Sequence, residues 1–126
     1  MELKTRILVV EDDTSYAELL KIRLEKTGGY EVRIEDHLSR ALSATFDFNP
    51  DLILLDLMMP GTDGAAVATQ LKKDERFQGI PVIFLTSAVT HQEVAAQGGV
   101  IGGKYFLAKP VTVQELVVSI EKHLKK

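Results

Sequence analysis

The sequence predicts one α/β domain, a parallel sheet covered by helices on both faces. Its 126 residues suffice for a single globular domain with its own core. Short continuous apolar segments recur along the chain, as is typical of strands buried on both faces. Helical patterns separate them, and right-handed crossovers place such helices on both sides of the sheet, giving a doubly wound three-layer α/β/α sandwich. The apolar segments span residues 7–10, 52–55, 82–85 and 106–108.

A fifth strand is predicted at residues 30–35, which read YEVRIE. Apolar and charged residues alternate there with a period of two, which is typical of a strand that has one face or one edge near water. The segment is therefore predicted to be an edge strand, with Glu31, Arg33 and Glu35 toward solvent.

Helix starts are marked by capping residues. Asp13 precedes an amphipathic pattern and is predicted to cap the first helix. Thr90 with Glu93, and Thr112 with Glu115, have the spacing of a capping box, in which each side chain bonds the backbone N–H of the other residue. The sequence thus predicts helices that begin near residues 91 and 113.

Net charge, cysteine content and the length of the apolar runs exclude or disfavour several classes of protein. The net charge is −3 and the isoelectric point is about 5.6, so the sequence gives no reason to expect direct binding to nucleic acid. There is no cysteine, which excludes disulfides and thiol catalysis. The chain starts without the apolar run of a signal peptide and has none long enough to cross a bilayer. We expect a cytoplasmic protein without a membrane segment.

Polar side chains follow the central strands at the points where they end. Because the carboxyl ends of parallel strands meet at one rim of the sheet, where ligands bind in such folds, these side chains should lie together. The residues are Glu11 and Asp12 after the first strand, Asp56 at the end of the third, Thr86 at the end of the fourth and Lys109 after the fifth.

This cluster predicts phosphoryl chemistry. Two ionised carboxylates about 4 Å apart repel by about 4 kcal/mol at an effective dielectric constant near 20, so the acidic group needs a cation. Mg²⁺ suits a shallow rim that offers carboxylates while water and phosphate supply the other ligands. With Lys109 as a second positive charge, Asp56 is equipped to attack phosphorus and form an acyl phosphate.

The motifs around these residues resemble those of the response-regulator receiver domains of two-component signalling. They read ILVVEDD at 7–13, LLDLMMPG at 54–61, PVIFLTS at 81–87 and FLAKP at 106–110, in family order and spacing. The resemblance covers the whole chain. It implies a single receiver domain over residues 1–126, with an ordered core of about 6–125, and a five-stranded parallel sheet in the flavodoxin-like order 2-1-3-4-5.

The resemblance also implies roles for individual residues. Asp56 would receive a phosphoryl group from a phosphohistidine on a sensor histidine kinase or a phosphotransfer protein. Asp12, Asp56 and the carbonyl of Met58 would ligate Mg²⁺, or Mn²⁺ as a substitute, with Glu11 acting largely through water. Lys109 and Thr86 would contact the phosphoryl oxygens, and the family's peptide bond before the proline matching Pro110 is typically cis.

Four positions are expected to govern the response. Thr86 and Phe106 occupy the family's switch positions, and Tyr105 should point to the opposite side of its strand. Phe106 is equally compatible with a core ring that never moves. Met58 and Ala88 stand where the family tunes access of water to the acyl phosphate, and their apolar side chains predict slow self-dephosphorylation.

The segment 98–103 departs from the family pattern, because it contains four glycines. It predicts a short or frayed fourth helix and an altered partner surface, and the glycines are compatible with either a mobile segment or a rigid turn. The stretch nearly matches a phosphate-binding P-loop, but Tyr105 stands where that motif needs Ser or Thr and a strand follows instead of a helix, so we reject a nucleotide site.

Rival functions remain open at this point. A phosphohydrolase with an Asp nucleophile would need a second Asp two residues on, where Met58 stands. A flavin-binding module is disfavoured because rim carboxylates would repel a cofactor phosphate. A phosphorylation-independent interaction module of the same fold is a third alternative.

Downstream we expect an unidentified protein partner, and either a monomer or a phosphorylation-dependent dimer. His37, His91 and His123 lack metal-site spacing and are expected on solvated helices or helix ends.

Overall fold

A computed structural model of the protein describes residues 3–57, 59, 64–88, 90–97, 99–101 and 104–124. Strands and helices alternate through most of this chain, and none of the described helices is long and apolar enough to span a membrane. The strands are β1 Thr5–Val10, β2 Tyr30–Glu35, β3 Leu52–Asp56, β4 Val82–Thr86, β5 Val100–Ile101 and β6 Lys104–Ala108. The helices are α1 Thr14–Thr27, α2 Ala41–Phe48, α3 Gly64–Lys73, α4 His91–Ala96 and α5 Val113–Leu124, and a 3₁₀ turn at Leu38–Arg40 leads into α2.

The sheet has the strand order β2-β1-β3-β4-β6-β5. Its first five members run parallel, which confirms the predicted order 2-1-3-4-5, with β6 as the predicted fifth strand. The three central strands β1, β3 and β4 are the most apolar, and β3 and β4 are buried at every residue. Three of the four continuous apolar runs therefore marked strands covered on both faces, whereas Phe106 and Leu107 of the fourth run are only half-buried in β6.

The short strand β5 corrects the prediction of five strands. It pairs antiparallel with β6, Val100 opposite Tyr105 and Ile101 opposite Lys104, and so adds a sixth strand at the edge. An antiparallel partner can be joined by a short connection, whereas a parallel one needs a crossover. Gly99, whose φ of 83° suits glycine, lies between α4 and this hairpin. The predicted short fourth helix is confirmed, since α4 has only six residues.

Two apolar cores cover the two faces of the sheet, as the three-layer prediction requires. One core packs α2 and α3 against the sheet and the other packs α1 and α5. The two faces separate Tyr105 from Phe106, as predicted. The Phe106 ring lies 5.3 Å from the Phe84 ring in the α2/α3 core, whereas Tyr105 contacts His123 of α5 edge-on at 4.1 Å between centroids.

The predicted caps are confirmed. Asp13 Oδ1 accepts a hydrogen bond from Tyr16 N at 3.1 Å at the start of α1. At α5, Glu115 N donates to Thr112 Oγ1 at 3.1 Å and Thr112 N donates to Glu115 Oε1 at 3.0 Å. The same reciprocal pair joins Thr90 and Glu93 at α4, at 2.9 and 3.0 Å.

Strand β2 lies at the predicted edge, but the predicted exposure of Glu35 is wrong. Its side chain is buried, and Glu35 Oε2 accepts a hydrogen bond from His37 N at 3.0 Å. The strand ends at this residue, so the carboxylate bonds the backbone of the following turn and does not continue the alternation of the strand. A period-two pattern does not extend reliably to the last residue of a strand.

Candidate functional site: an acidic rim with one lysine

The predicted rim residues meet at the carboxyl ends of the strands. Carboxylate oxygens of Glu11, Asp12 and Asp56 all lie within 4.8 Å of one another. Lys109 Nζ is 3.4 Å from Asp56 Oδ2 and also bonds Glu11 Oε1. The structure therefore brings three acids and one lysine together from the ends of three strands.

Strand register is what aligns these residues. Val10 pairs with Leu55 across β1 and β3, so Glu11 and Asp56 are the next residues along two neighbouring strands. On the other side of β4, Thr86 pairs with Ala108, and the following Lys109 N donates to Thr86 O at 3.0 Å. The four strands therefore end at the same rim, because their hydrogen-bond register aligns their last residues.

Burial distinguishes the three acids. Glu11 is 0% and Asp56 3% exposed, whereas Asp12 lies in solvent. Glu11 Oε2 also accepts from Asp13 N at 3.1 Å, which orients the carboxylate. Burial raises the pKa of Glu11 to about 7, the hydrogen bond with Asp56 adds to the rise, and Lys109 opposes it. The buried acids are costly to ionise together without a further positive charge.

Lys109 supplies part of that charge. Burial disfavours its ammonium form, but hydrogen bonding and Coulomb attraction to Glu11 and then Asp56 outweigh burial and hold the pKa of Lys109 above its usual value. The lysine side chain is 20% exposed, so it can meet a ligand arriving from solvent. The ammonium contacts only Glu11 and Asp56, and one positive charge does not balance a cluster of three acids.

The donor set fits a hard divalent cation. Three carboxylates with oxygens this close supply the ligand type that Mg²⁺ prefers, and the exposed Asp12 leaves room for water in the coordination sphere. Met58, the predicted carbonyl ligand, lies outside the described residues. The fit therefore depends on Glu11, Asp12 and Asp56.

Thr86 and Ala88 are joined at the end of β4. Thr86 is fully buried, and its Oγ1 accepts a hydrogen bond from Ala88 N at 3.0 Å. Ala88 itself lies in solvent beside the rim. Phe106 is half-buried against the α2/α3 core, one strand away from Thr86. The hydroxyl in this conformation bonds the loop that follows its own strand.

The loop after β6 is held by residues that the sequence analysis did not assign to the site. His91 Nε2 lies 2.9 Å from Pro110 O, and because a carbonyl only accepts, the ring nitrogen donates. Val111 N donates to the Tyr16 hydroxyl at 3.1 Å. The peptide bond between Lys109 and Pro110 is cis, as predicted. His91 is exposed at the start of α4, as expected of a histidine at a helix end, and it also bonds this loop.

The other two histidines, His37 and His123, differ in their exposure to solvent. His37 is exposed, in agreement with the expectation, whereas His123 is half-buried beside Tyr105. His123 Nδ1 bonds Ser119 O at 2.7 Å, and its Nε2 is buried without a hydrogen-bond partner among the described residues. His123 thus lies at a helix end, as expected, but its ring packs against Tyr105 of β6 and is not fully solvated.

Gly64 is another position beside the site that no sequence pattern had indicated. A Cβ at this residue would lie 3.0 Å from Asp56 O and 3.2 Å from Leu57 Cα. These are backbone atoms directly beside the acidic cluster, and they cannot turn aside as a side chain can. The start of α3 therefore approaches the end of β3 at a distance that only glycine allows without a shift.

Comparison with known proteins agrees with this architecture. A model of the response regulator receiver domain family matches residues 7–121. The phosphate regulon transcriptional regulatory protein PhoB of Pseudomonas aeruginosa is 37% identical over 120 residues, which are 95% of this chain and 52% of that protein. The DNA-binding response regulator MtrA of Mycolicibacterium smegmatis is 36% identical over 124 residues, 98% of this chain and 52% of MtrA. The chain spans about half the length of these relatives.

Solved structures give the same result over the whole fold. The BeF₃-activated N-terminal receiver domain of RstA from Klebsiella pneumoniae matches with a TM-score of 0.78 and 29% identity, over 97% of this chain and 100% of that one. A response regulator receiver domain protein from Methanospirillum hungatei matches with a TM-score of 0.78 and 28% identity, over 98% and 94% of the two chains.

Proposed function

This chain belongs to the response regulator receiver family, whose members are the phosphoacceptors of two-component signalling, and we propose that Asp56 is its phosphoryl acceptor. One observation carries the assignment. Asp56 is the buried strand-end carboxylate that lies 3.4 Å from Lys109 Nζ and within 4.8 Å of the oxygens of Glu11 and Asp12. This arrangement would combine a nucleophile, a fixed cation and a set of metal ligands at one rim.

The proposed step is transfer from a phosphohistidine. A carboxylate oxygen of Asp56 attacks phosphorus, the P–O bond forms and the P–N bond to the donor imidazole breaks. The electron pair of the broken bond remains on the imidazole nitrogen, which takes a proton from solvent. The Lys109 ammonium is placed to exchange its carboxylate contacts for a phosphoryl oxygen, where it would stabilise the charge that develops in transfer.

Receiver domains generally bind Mg²⁺ in an acidic pocket, and we assign that role here to Glu11, Asp12 and Asp56, with the carbonyl of Met58. Mn²⁺ is a possible substitute. The cation, when bound, would neutralise charge shared between the acids and the phosphoryl oxygens. Glu11 would contact the cation indirectly, through water, because its carboxylate already bonds Lys109 and Asp13 N.

We assign the conformational response to Thr86 and Phe106. A phosphoryl group offers strong acceptor oxygens, which would draw the Thr86 hydroxyl away from Ala88 N. The space vacated beside the half-buried Phe106 ring would then admit the ring. Structures with and without beryllofluoride test this assignment: one unchanged Phe106 rotamer in both would rule out the switch.

A sensor histidine kinase or a phosphotransfer protein is the proposed donor, and an unidentified protein is the proposed recipient of the signal. The relatives PhoB and MtrA are regulators of transcription or DNA-binding proteins by name, and this chain matches about half of each. Direct nucleic-acid binding is not proposed for this chain, given its net charge of −3.

The test is intact-mass analysis after incubation with acetyl phosphate and Mg²⁺. We expect one phosphoryl adduct on the wild type, none on Asp56→Asn and none in EDTA. Asp47→Asn is the matched control, since Asp47 is an exposed carboxylate on α2, and it should react like the wild type. An adduct that survives in Asp56→Asn would refute the assignment.

Two related measurements test the lifetime of the adduct and the phosphohydrolase alternative. After the donor is removed the adduct should persist for minutes or longer, because the apolar side chains of Met58 and Ala88 cannot position water; a lifetime of seconds would contradict this. Multiple turnover of a small phosphate ester would instead support the phosphohydrolase alternative.

A further inference from the structure

Tyr16 lies in the first turn of α1, close to the acidic rim. Its backbone N–H is fixed by the Asp13 cap at 3.1 Å, and its half-buried ring packs against the α1/α5 core. The residue therefore lies four positions after Asp12 in the chain and is anchored at both its backbone and its ring.

The side chain of Tyr16 makes two contacts to the loop after β6. The ammonium nitrogen of Lys109 lies 5.0 Å from the centroid of the ring, within the range of a cation–π interaction. The hydroxyl accepts a hydrogen bond from Val111 N at 3.1 Å. Burial raises the pKa of the Tyr16 phenol, so the hydroxyl stays neutral at physiological pH. One side chain thus contacts Lys109 itself and the backbone two residues further on.

These contacts differ in kind from the other bonds of Lys109. The lysine bonds Glu11 and Asp56, which are the groups that a cation and a phosphoryl group would engage. A lysine held only by those carboxylates would lose its orientation when they turn to another partner, because its four-carbon stem is flexible. The aromatic ring requires neither carboxylate, so its contact can persist through the reaction.

We propose that Tyr16 is a positioning residue for the phosphoryl transfer assigned above, holding the Lys109 ammonium with its ring and the 109–111 loop with its hydroxyl. The inference deepens the proposed function and rests on it. Its alternative is that Tyr16 only fills space between α1 and the loop. Tyr16→Phe keeps the ring and removes the hydroxyl, whereas Tyr16→Leu keeps apolar bulk and removes both contacts.

Phosphorylation kinetics separate these alternatives. At saturating acetyl phosphate and Mg²⁺, Tyr16→Leu, which loses both contacts, should react about five- to tenfold more slowly than wild type. Tyr16→Phe, which loses only the hydrogen bond to Val111, should react about twofold more slowly. The Mg²⁺ dissociation constant, measured by calorimetry, should be unchanged in both variants because the three carboxylates remain. A variant that merely loosened the site would weaken Mg²⁺ binding as well.

Nuclear magnetic resonance gives a readout that does not require activity. Protons beside the ammonium of Lys109 should be shifted upfield by the Tyr16 ring, with Lys109→Arg identifying the signal. The shift should remain in Tyr16→Phe and disappear in Tyr16→Leu; it should also be present with Mg²⁺ bound.

The possible failures are distinguishable. An unshifted Lys109 signal in the wild type, or a Tyr16→Leu protein that reacts at the wild-type rate, overturns the role of Tyr16. A wild type that takes up no phosphoryl group overturns the proposed function instead, while the spectrum still decides whether the ring holds the lysine. The wild-type spectrum also decides this if Tyr16→Leu does not fold.

Discussion

The loop after β6 and the segment after β4 leave neighbouring strands, but they are held in different ways. Lys109, Pro110 and Val111 are each bonded by a different part of the chain, through Thr86 O, His91 Nε2 and the Tyr16 hydroxyl. These contacts join residues far apart in sequence and hold the position of a charged group.

The segment after β4 shares one of these bonds, through His91 at the start of α4, but its other hydrogen bonds are mainly to its own neighbours. Helix α4 has six residues and β5 has two. Val94 N bonds Thr90 O at 3.1 Å and Gly99 N bonds Val94 O at 2.8 Å, both within one or two turns. A region fixed by local bonds opens more readily than one fixed by long-range contacts. The proposed chemistry thus lies on the loop with more long-range contacts, and we expect the short helix α4 to open more readily.

The largest expected effect comes from removing the charge on the loop after β6. Lys109→Ala should slow phosphorylation from acetyl phosphate by about 100-fold, because a fixed donor to the developing charge is lost. Lys104→Ala is the matched control, since Lys104 is an exposed lysine at the start of β6. It should react at the wild-type rate. A fall of less than threefold in Lys109→Ala would show that the lysine is dispensable.

A smaller effect is expected from crowding the rim. Gly64→Ala places a methyl group 3.0 Å from Asp56 O, and overpacking of this kind costs about 1–3 kcal/mol of the free energy of unfolding. Gly79→Ala is the control, because a Cβ there meets nothing within 4 Å. Urea denaturation measures both. Equal free energies of unfolding for the two variants would mean that the backbone at the end of β3 shifts to accommodate the methyl group without loss of stability.

The smallest effect compares the two capping boxes directly. Thr112→Ala should lower the free energy of unfolding by about 1 kcal/mol, as is usual for a lost N-cap. Thr90→Ala removes the same bonds from the six-residue α4 and should cost less globally, while hydrogen exchange accelerates across 91–96. Equal losses in global stability would show that α4 unfolds only with the whole domain.

Much of the site could be predicted from residue order. Glu11, Asp56, Thr86 and Lys109 directly follow or end apolar runs, and parallel strands in register bring such positions together. Asp13, Thr90 and Thr112 cap helices through contacts within three residues, so their signals are local. The prediction that Glu35 is exposed failed because its side chain bonds the backbone of the following turn. The alternation of buried and exposed side chains does not continue to this last residue of β2.

The sequence by itself determined the parallel sheet, the predicted helix caps and the identity of the charges at the rim, since each depends on periodicity or short-range bonding. Only the tertiary structure decided that β5 pairs with β6 and that Gly64 approaches Asp56. It also decided that Tyr16 reaches a loop 95 residues away to meet Val111. Such contacts depend on the packing of distant segments, and no local pattern in the chain encodes which side chain will arrive beside which backbone group.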